Sequence, residues 1–194
     1  MIAAIVVIIA ALLAVMPLTA ARSGAVARLI VPVARGARYI VRAAFLVAVW
    51  SCLALLGVQL CVVLLVSVFS VSVVWLQESA SYLFGIVFLL GAGGVFLADG
   101  HVRVDVLSSR WSARRRARLD LLGIAVMLMP VCALVVIVGT PWAARSWAAL
   151  ERSGEPSGLH LVFVLKTLVP LFGVLLALSG FVRAEAAART LREG

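Results

Sequence analysis

Five stretches of this chain carry no charged side chain: 2–21, 43–77, 79–98, 121–144 and 167–182. A helix needs about 20 apolar residues to cross about 30 Å of hydrocarbon. Four of the runs reach that length outright, and the last reaches it by extending back past Lys166 to about Leu159. The sequence between them cannot clothe a soluble fold. Hydrophobic residues make up 65% of the 194 and charged residues 13%, against roughly 45–50% and about 25% in soluble domains. Lipid offers the backbone no hydrogen-bond partner, and the runs lack the alternation of barrel strands. The expected fold class is therefore an all-α integral membrane protein.

The second run is too long for one simple crossing, since as a helix it extends about 50 Å at 1.5 Å per residue. Ser67, Ser70 and Ser72, ahead of Trp75, suggest that its far end leaves the membrane. The expected organisation is a four-helix domain over 43–182, with spans at about 43–68, 79–98, 121–141 and 160–182. It is preceded by a basic segment, 22–42, and followed by a tail, 183–194. The leading run, 1–21, is left open between an extra span, a signal-like segment and an artefact of the start site. No basic residues precede it, and five arginines follow it by position 42.

Charge predicts the orientation. The segments 22–42, 99–120 and 183–194 hold 14 positive and five negative side chains, the whole net charge of +9. The opposite side holds Arg145, Arg152 and Lys166 against Glu78, Glu151 and Glu155. The positive-inside rule puts the first three segments, and both ends of the four-span core, in the cytoplasm. Trp75, Trp142 and Trp147 then fall near the outer interface.

Few side chains suggest chemistry. The 79–98 run has two faces of small residues at 100° per residue: Ser81, Gly85 and Ala92 on one, Gly91, Gly94 and Ala98 on the other. Such faces let backbones approach closely, so this helix is expected to pack between two others, in this chain or in a partner. Glu78, one turn before Ser81, is placed to pair with Arg145 or Lys166, or to lie solvated at the interface. Lys166 is expected to snorkel outward, with no acid at its depth. His101 and Asp105 are spaced to hydrogen-bond on a helix, but one His and two acids make a poor metal site. Arg114, Arg115, Arg116 and Arg118 read as lipid-headgroup and topology anchors rather than a nucleic-acid site. Pro130 and Pro170 each free a carbonyl one turn earlier. Cys52, Cys61 and Cys132 read as small hydrophobes buried in the membrane.

No nucleophile–base set, phosphate loop, Walker lysine or H-E-x-x-H is present, so no enzyme and no cofactor is expected. The two histidines, His101 and His160, fall on opposite sides, roughly 30 Å apart. That argues against a haem-clamping redox anchor, one of two rival readings. The other is a small membrane assembly factor.

Trp75-Leu76-Gln77-Glu78, Tyr82-Leu83-Phe84, Phe88-Leu89-Leu90-Gly91-Ala92 and His101-Val102-Arg103-Val104-Asp105 resemble the small permease (Q) subunit of TRAP (tripartite ATP-independent periplasmic) transporters. Weaker matches follow at Arg118, Asp120-Leu121-Leu122, at Ser146-Trp147 with Glu151 and Ser153, and at Lys166 with Pro170-Leu171. The likeness covers about 43–182. It implies a scaffold in a bacterial inner membrane, beside a large permease subunit that carries the solute on a sodium gradient. It also implies a periplasmic solute-binding protein that delivers an organic acid or similar solute. On that reading Glu78, Arg145, Glu151 and Arg152 are the candidate contacts with the binding protein, and His101, Arg103 and Asp105 form an inner-loop motif of the family.

Overall fold

The structure, a computed structural model, describes residues 24–98 and 111–193. The leading run, the His101-Arg103-Asp105 motif and Asp99 lie outside the described residues. What is described is all-helical, and four helices are long and apolar enough to cross a membrane. These are α1 (Gly24–Phe69), α2 (Val74–Leu97), α3 (Ala113–Ala148) and α4 (Val162–Glu193).

α1 has 46 residues, about 69 Å at 1.5 Å per residue. It joins the expected basic segment and first span into one rod. The side chains it buries or half-buries recur at alternating steps of four and three. Ile30, Ala34, Ala37, Val41, Ala44 and Ala48 lead, and Ser51, Leu55, Val58, Val62 and Leu65 continue the stripe. That spacing keeps one seam facing its neighbours along the whole rod, as in a left-handed coiled coil. In the first half the arginines fall between seam positions, so Arg35, Arg38 and Arg42 stay exposed. In the second half the outward face is apolar as well: Leu46, Trp50, Leu53, Leu56 and Leu60 are each more than half exposed. Cys52 and Cys61 share this uncovered half, while Cys132 in α3 is buried.

The rod ends at Phe69. Ser70 takes a positive φ of 52°, and the N–H of Val71 returns to the Leu65 carbonyl at 3.0 Å. The chain reverses and enters α2, which packs between α1 and α4. Its small residues serve both sides. A Cβ on Gly94 would lie 2.4 Å from the Phe45 ring, and one on Gly91 would lie 3.5 Å from Ala48, both in α1. A Cβ on Gly85 would lie 2.8 Å from Leu165 in α4. Ala92 is half-buried, whereas Ser81 and Ala98 are exposed. Gly93, which the two-face reading omits, meets the backbone of α4. A Cβ there would lie 2.9 Å from Ser179 Oγ and 3.3 Å from the Leu175 carbonyl. The Ser179 hydroxyl, fully buried, lies within hydrogen-bond reach of the carbonyls of Gly93 (3.0 Å) and Leu175 (2.8 Å).

α3 packs against α4. Pro130 cannot donate to the Val126 carbonyl, and its ring crowds that turn. The helix meets this with one π turn at Ile124–Leu128, in which the N–H of Met129 reaches back to Ile124. Pro170 lies inside α4 and fits against Gly139, where a Cβ would be 3.3 Å from the proline ring.

α4 is the central element and touches the other three helices. The main core sits at its C-terminal half, where Phe181, Val182, Ala184 and Ala187 meet Ile30, Ala34 and Ala37 of α1 and Leu121, Ile124 and Met129 of α3. Residues 183–193 therefore continue a packed helix.

Candidate functional site

The polar side chains gather at the two ends of the bundle. At one end, α3 finishes in a Schellman motif: Leu150 takes a φ of 43°, its N–H bonds the Trp147 carbonyl at 3.1 Å, and the N–H of Glu151 bonds the Ser146 carbonyl at 3.1 Å. This return folds the Glu151 side chain back over α3. Its carboxylate accepts from Ser146 Oγ at 2.6 Å and from the ammonium of Lys166 on α4. The ammonium and the hydroxyl together hold the Glu151 carboxyl below its ordinary value. Lys166 also lies 4.8 Å from the Trp142 ring centre. The indole N–H of Trp147 donates to Thr167 Oγ1 at 2.8 Å, and its ring packs on Phe163 at 4.5 Å. Lys166 thus meets an acid at its own depth, contrary to the expectation from sequence.

Glu78, at the start of α2, is taken up by the same connection. One carboxylate oxygen accepts from the Ser153 hydroxyl, and the other accepts from the backbone N–H of Leu159 at 2.5 Å. Ser153 Oγ in turn accepts from the N–H of Glu155 at 3.2 Å, and the N–H of Ser153 bonds the Leu159 carbonyl at 3.1 Å. Glu78 pairs with neither Arg145 nor Lys166, because the connection between α3 and α4 presents it with closer donors. Gly158 is buried against this knot: a Cβ there would lie 2.4 Å from Ser153 Oγ and 2.7 Å from Glu78 Oε1. Of the four candidate contact residues, Glu78 and Glu151 are therefore engaged within the chain. Arg145 and Arg152 are exposed.

At the other end, α3 starts at Ser112, whose hydroxyl accepts from the N–H of Arg115 at 3.4 Å. Arg114, Arg115, Arg116 and Arg118 are all exposed, with Arg115 lying 4.9 Å from the Trp111 ring centre. α4 brings Arg183, which donates to the Phe96 carbonyl at 2.9 Å and lies 5.0 Å from its ring. Two residues on, the buried Glu185 pairs with Arg189 at 2.8 Å. All four helices line a cleft of about 830 Å³ here. Arg38 and Arg42 come from α1, Arg116 and Asp120 from α3, and Arg183 from α4. That one cavity touches the start of α1, the end of α2, the start of α3 and the end of α4. The helices therefore alternate in direction, with the arginine-rich segments at a common end.

Among the described residues, no group of three or more His, Cys, Asp and Glu side chains is gathered to hold a metal ion. Two polar clusters, joined by helices apolar on nearly every face, are the anatomy of a multi-pass membrane subunit. The model of one protein family, described as Tripartite ATP-independent periplasmic transporters, DctQ component, matches residues 55–190. The chain belongs to that family. The DctQ match begins within the uncovered half of α1 and runs almost to the end of α4, so it takes in the Glu78 knot and the α3 and α4 side of the basic cluster, while Arg38 and Arg42 precede it. No curated protein and no solved structure matches the chain. As a DctQ component the chain is the small membrane subunit of a TRAP transporter, part of a tripartite assembly.

Sequence reasoning missed two features that shape these sites. The amphipathic start of α1 was readable: Ile30, Ala34, Ala37 and Val41 recur at helical spacing, with arginines at 28, 35, 38 and 42. Hydropathy alone read that stretch as a basic segment ahead of the first span. The knot on Glu78 left a fainter trace in the Ser153–Gly154 and Ser157–Gly158 pairs, which mark a tight turn without naming its partner.

Proposed function

We propose that this DctQ subunit is a static brace for the large membrane subunit of its transporter. The observation that carries the reading is the second half of α1. No residue of that helix's most apolar 18-residue window is buried within the chain, although its outward face is apolar but for Gln59. A helix apolar all round is covered by lipid or by another protein, and this one stands on a rigid three-helix base. In this reading the large subunit carries an organic acid or similar solute on an ion gradient, with sodium the expected ion. The DctQ subunit widens the frame against which the carrier moves.

Orientation follows the positive-inside rule. The basic end faces the cytoplasm of a bacterial inner membrane, and the Glu78–Ser153–Gly158 knot faces the periplasm. The folded connection between α3 and α4 then offers the binding protein a preformed surface on which Arg145, Arg152 and Glu155 are charges left open. The role of Glu78 and Glu151 is to hold that surface in shape.

The test is reconstitution. The chain alone in liposomes is expected to accumulate no solute under an imposed ion gradient. With the large subunit and the binding protein present, uptake is expected to require it. Accumulation by the chain alone overturns the reading, as does full uptake without it.

A further inference from the structure

The cleft at the basic end contains a pairing of features that bracing does not call for. Arg38 and Arg42 stand one turn apart on α1, and Arg116 faces the same cavity from α3. All three are exposed, and no carboxylate, hydroxyl or carbonyl of the described residues bonds their guanidinium groups. Arg183 enters from α4, already committed to the Phe96 carbonyl. Against these four guanidinium groups the described lining sets one carboxylate, Asp120. Beside the arginines the wall turns apolar: Phe45 lies one turn past Arg42 on α1, and Leu97, the last residue of α2, and the largely buried Val182 line the same space. The arginine part suits a phosphate, because guanidinium donors match its oxygens in a fixed fork geometry. The apolar part suits hydrocarbon. A soluble anion would use the first half only, whereas a phospholipid uses both.

We infer that this cleft is a binding site for one anionic phospholipid, its phosphate held by Arg38, Arg42 and Arg116 and its acyl chains lying along Phe45, Leu97 and Val182. This differs from a diffuse attraction of basic residues to a charged surface, since it places three particular arginines, from two helices, on one head group. A lipid bound there ties the start of α1 to the start of α3.

Lipid retention by the full chain in detergent, followed by native mass spectrometry and by thermal unfolding, tests the site. The probes are phosphatidylglycerol, phosphatidylcholine and inorganic phosphate. The wild type is expected to retain one phosphatidylglycerol in preference to phosphatidylcholine, and to unfold at higher temperature with it. Removing three cleft charges together, as Arg38→Gln, Arg42→Gln and Arg116→Gln, is expected to weaken that retention about 100-fold. A control with the same loss of charge at the same end but outside the cleft, Arg114→Gln, Arg118→Gln and Arg192→Gln, is expected to retain the lipid as the wild type does. Equal weakening in both variants reduces the effect to diffuse charge and overturns the site. So does equal retention of the two lipids by the wild type. Displacement of the lipid by millimolar inorganic phosphate assigns the cleft to a soluble anion instead. If the cleft variant loses helical circular dichroism, Arg42→Gln alone is read in its place, with a loss of about fivefold expected and no loss overturning the assignment.

Discussion

Glu78 and Leu159 stand 81 positions apart in sequence, and the carboxylate of the first accepts the backbone N–H of the second at 2.5 Å. The bond closes the Trp-rich end of the bundle, because it ties the start of α2 to the connection that follows α3. A carboxylate accepting donors from both Ser153 and Leu159 is a charge-assisted arrangement, stronger than a neutral pair. Glu78→Gln keeps the shape and loses the charge, while Glu78→Lys also replaces an acceptor with a donor. Hydrogen exchange at Leu159 is expected to quicken in the first and to approach that of an open loop in the second. The helices should stay protected in both. Unchanged exchange in Glu78→Lys would show that the connection holds without this anchor.

Gly158 and Gly154 lie in one short connection and give opposite expectations. Neither has a positive φ, so neither is needed for backbone freedom. A Cβ on Gly158 would meet Ser153 and Glu78 well inside contact distance, whereas a Cβ on Gly154 meets nothing within 4 Å. Gly158→Ala is expected to cost about 1–3 kcal/mol, the usual penalty of overpacking. Gly154→Ala should change stability by less than about 0.5 kcal/mol. Thermal unfolding of the two variants in one detergent measures the difference. Equal stability would mean that the knot can shift to admit a methyl group.

The approach of α2 to α1 rests on Gly94 and the Phe45 ring. A Cβ at Gly94 would lie 2.4–2.6 Å from three atoms of Phe45, while one at Gly91 would make an ordinary contact of 3.5 Å with Ala48. Gly94→Ala is therefore expected to destabilise by about 1–3 kcal/mol, and Gly91→Ala to be tolerated. Adding Phe45→Ala to Gly94→Ala should recover part of the loss, a coupling that a double-mutant cycle reads directly. Strict additivity would show that the two residues do not meet. Gly94→Leu should go further and impair assembly with the large subunit.

The four spans were legible because lipid imposes one rule on every residue: twenty apolar positions in a row have few other uses. The close approaches of α2 were half legible. Periodicity found Gly85, Gly91 and Gly94, but Gly93 lies between the two faces. Its role depends on where α4 crosses, and no local pattern carries that. The partners of Glu78 and Glu151 were not legible at all. A sequence shows that Glu78, Glu151, Arg145 and Lys166 share one side of the membrane. It does not show that Leu150 turns the chain back to bring Glu151 onto Lys166, or that a backbone N–H takes the place of an arginine at Glu78. Charge sets the side on which a residue lies, and loop geometry sets its partner.

That geometry gives the Glu151–Lys166 pair a signed dependence on pH. The Lys166 ammonium, and after it the Ser146 hydroxyl, hold the Glu151 carboxyl below its ordinary 4.5. A carboxyl depressed in the folded state binds protons less readily there than in the unfolded chain. Its contribution to stability is full above 4.5 and is lost as the pH falls through the lower folded value. Lys166 shields the carboxylate only in part, since Glu151 keeps 39% of its side-chain surface exposed, so the effect should be local to the connection. Hydrogen exchange at 149–161 is expected to stay slow from neutral pH to 4.5, allowing for the intrinsic pH dependence of exchange, and to quicken below it. Glu151→Gln should remove that acid-dependent step. Lys166→Met should move it upward, toward 4.5, because the largest source of the depression is gone. A step that stays in place without Lys166 would mean that the ammonium does not set the titration of Glu151.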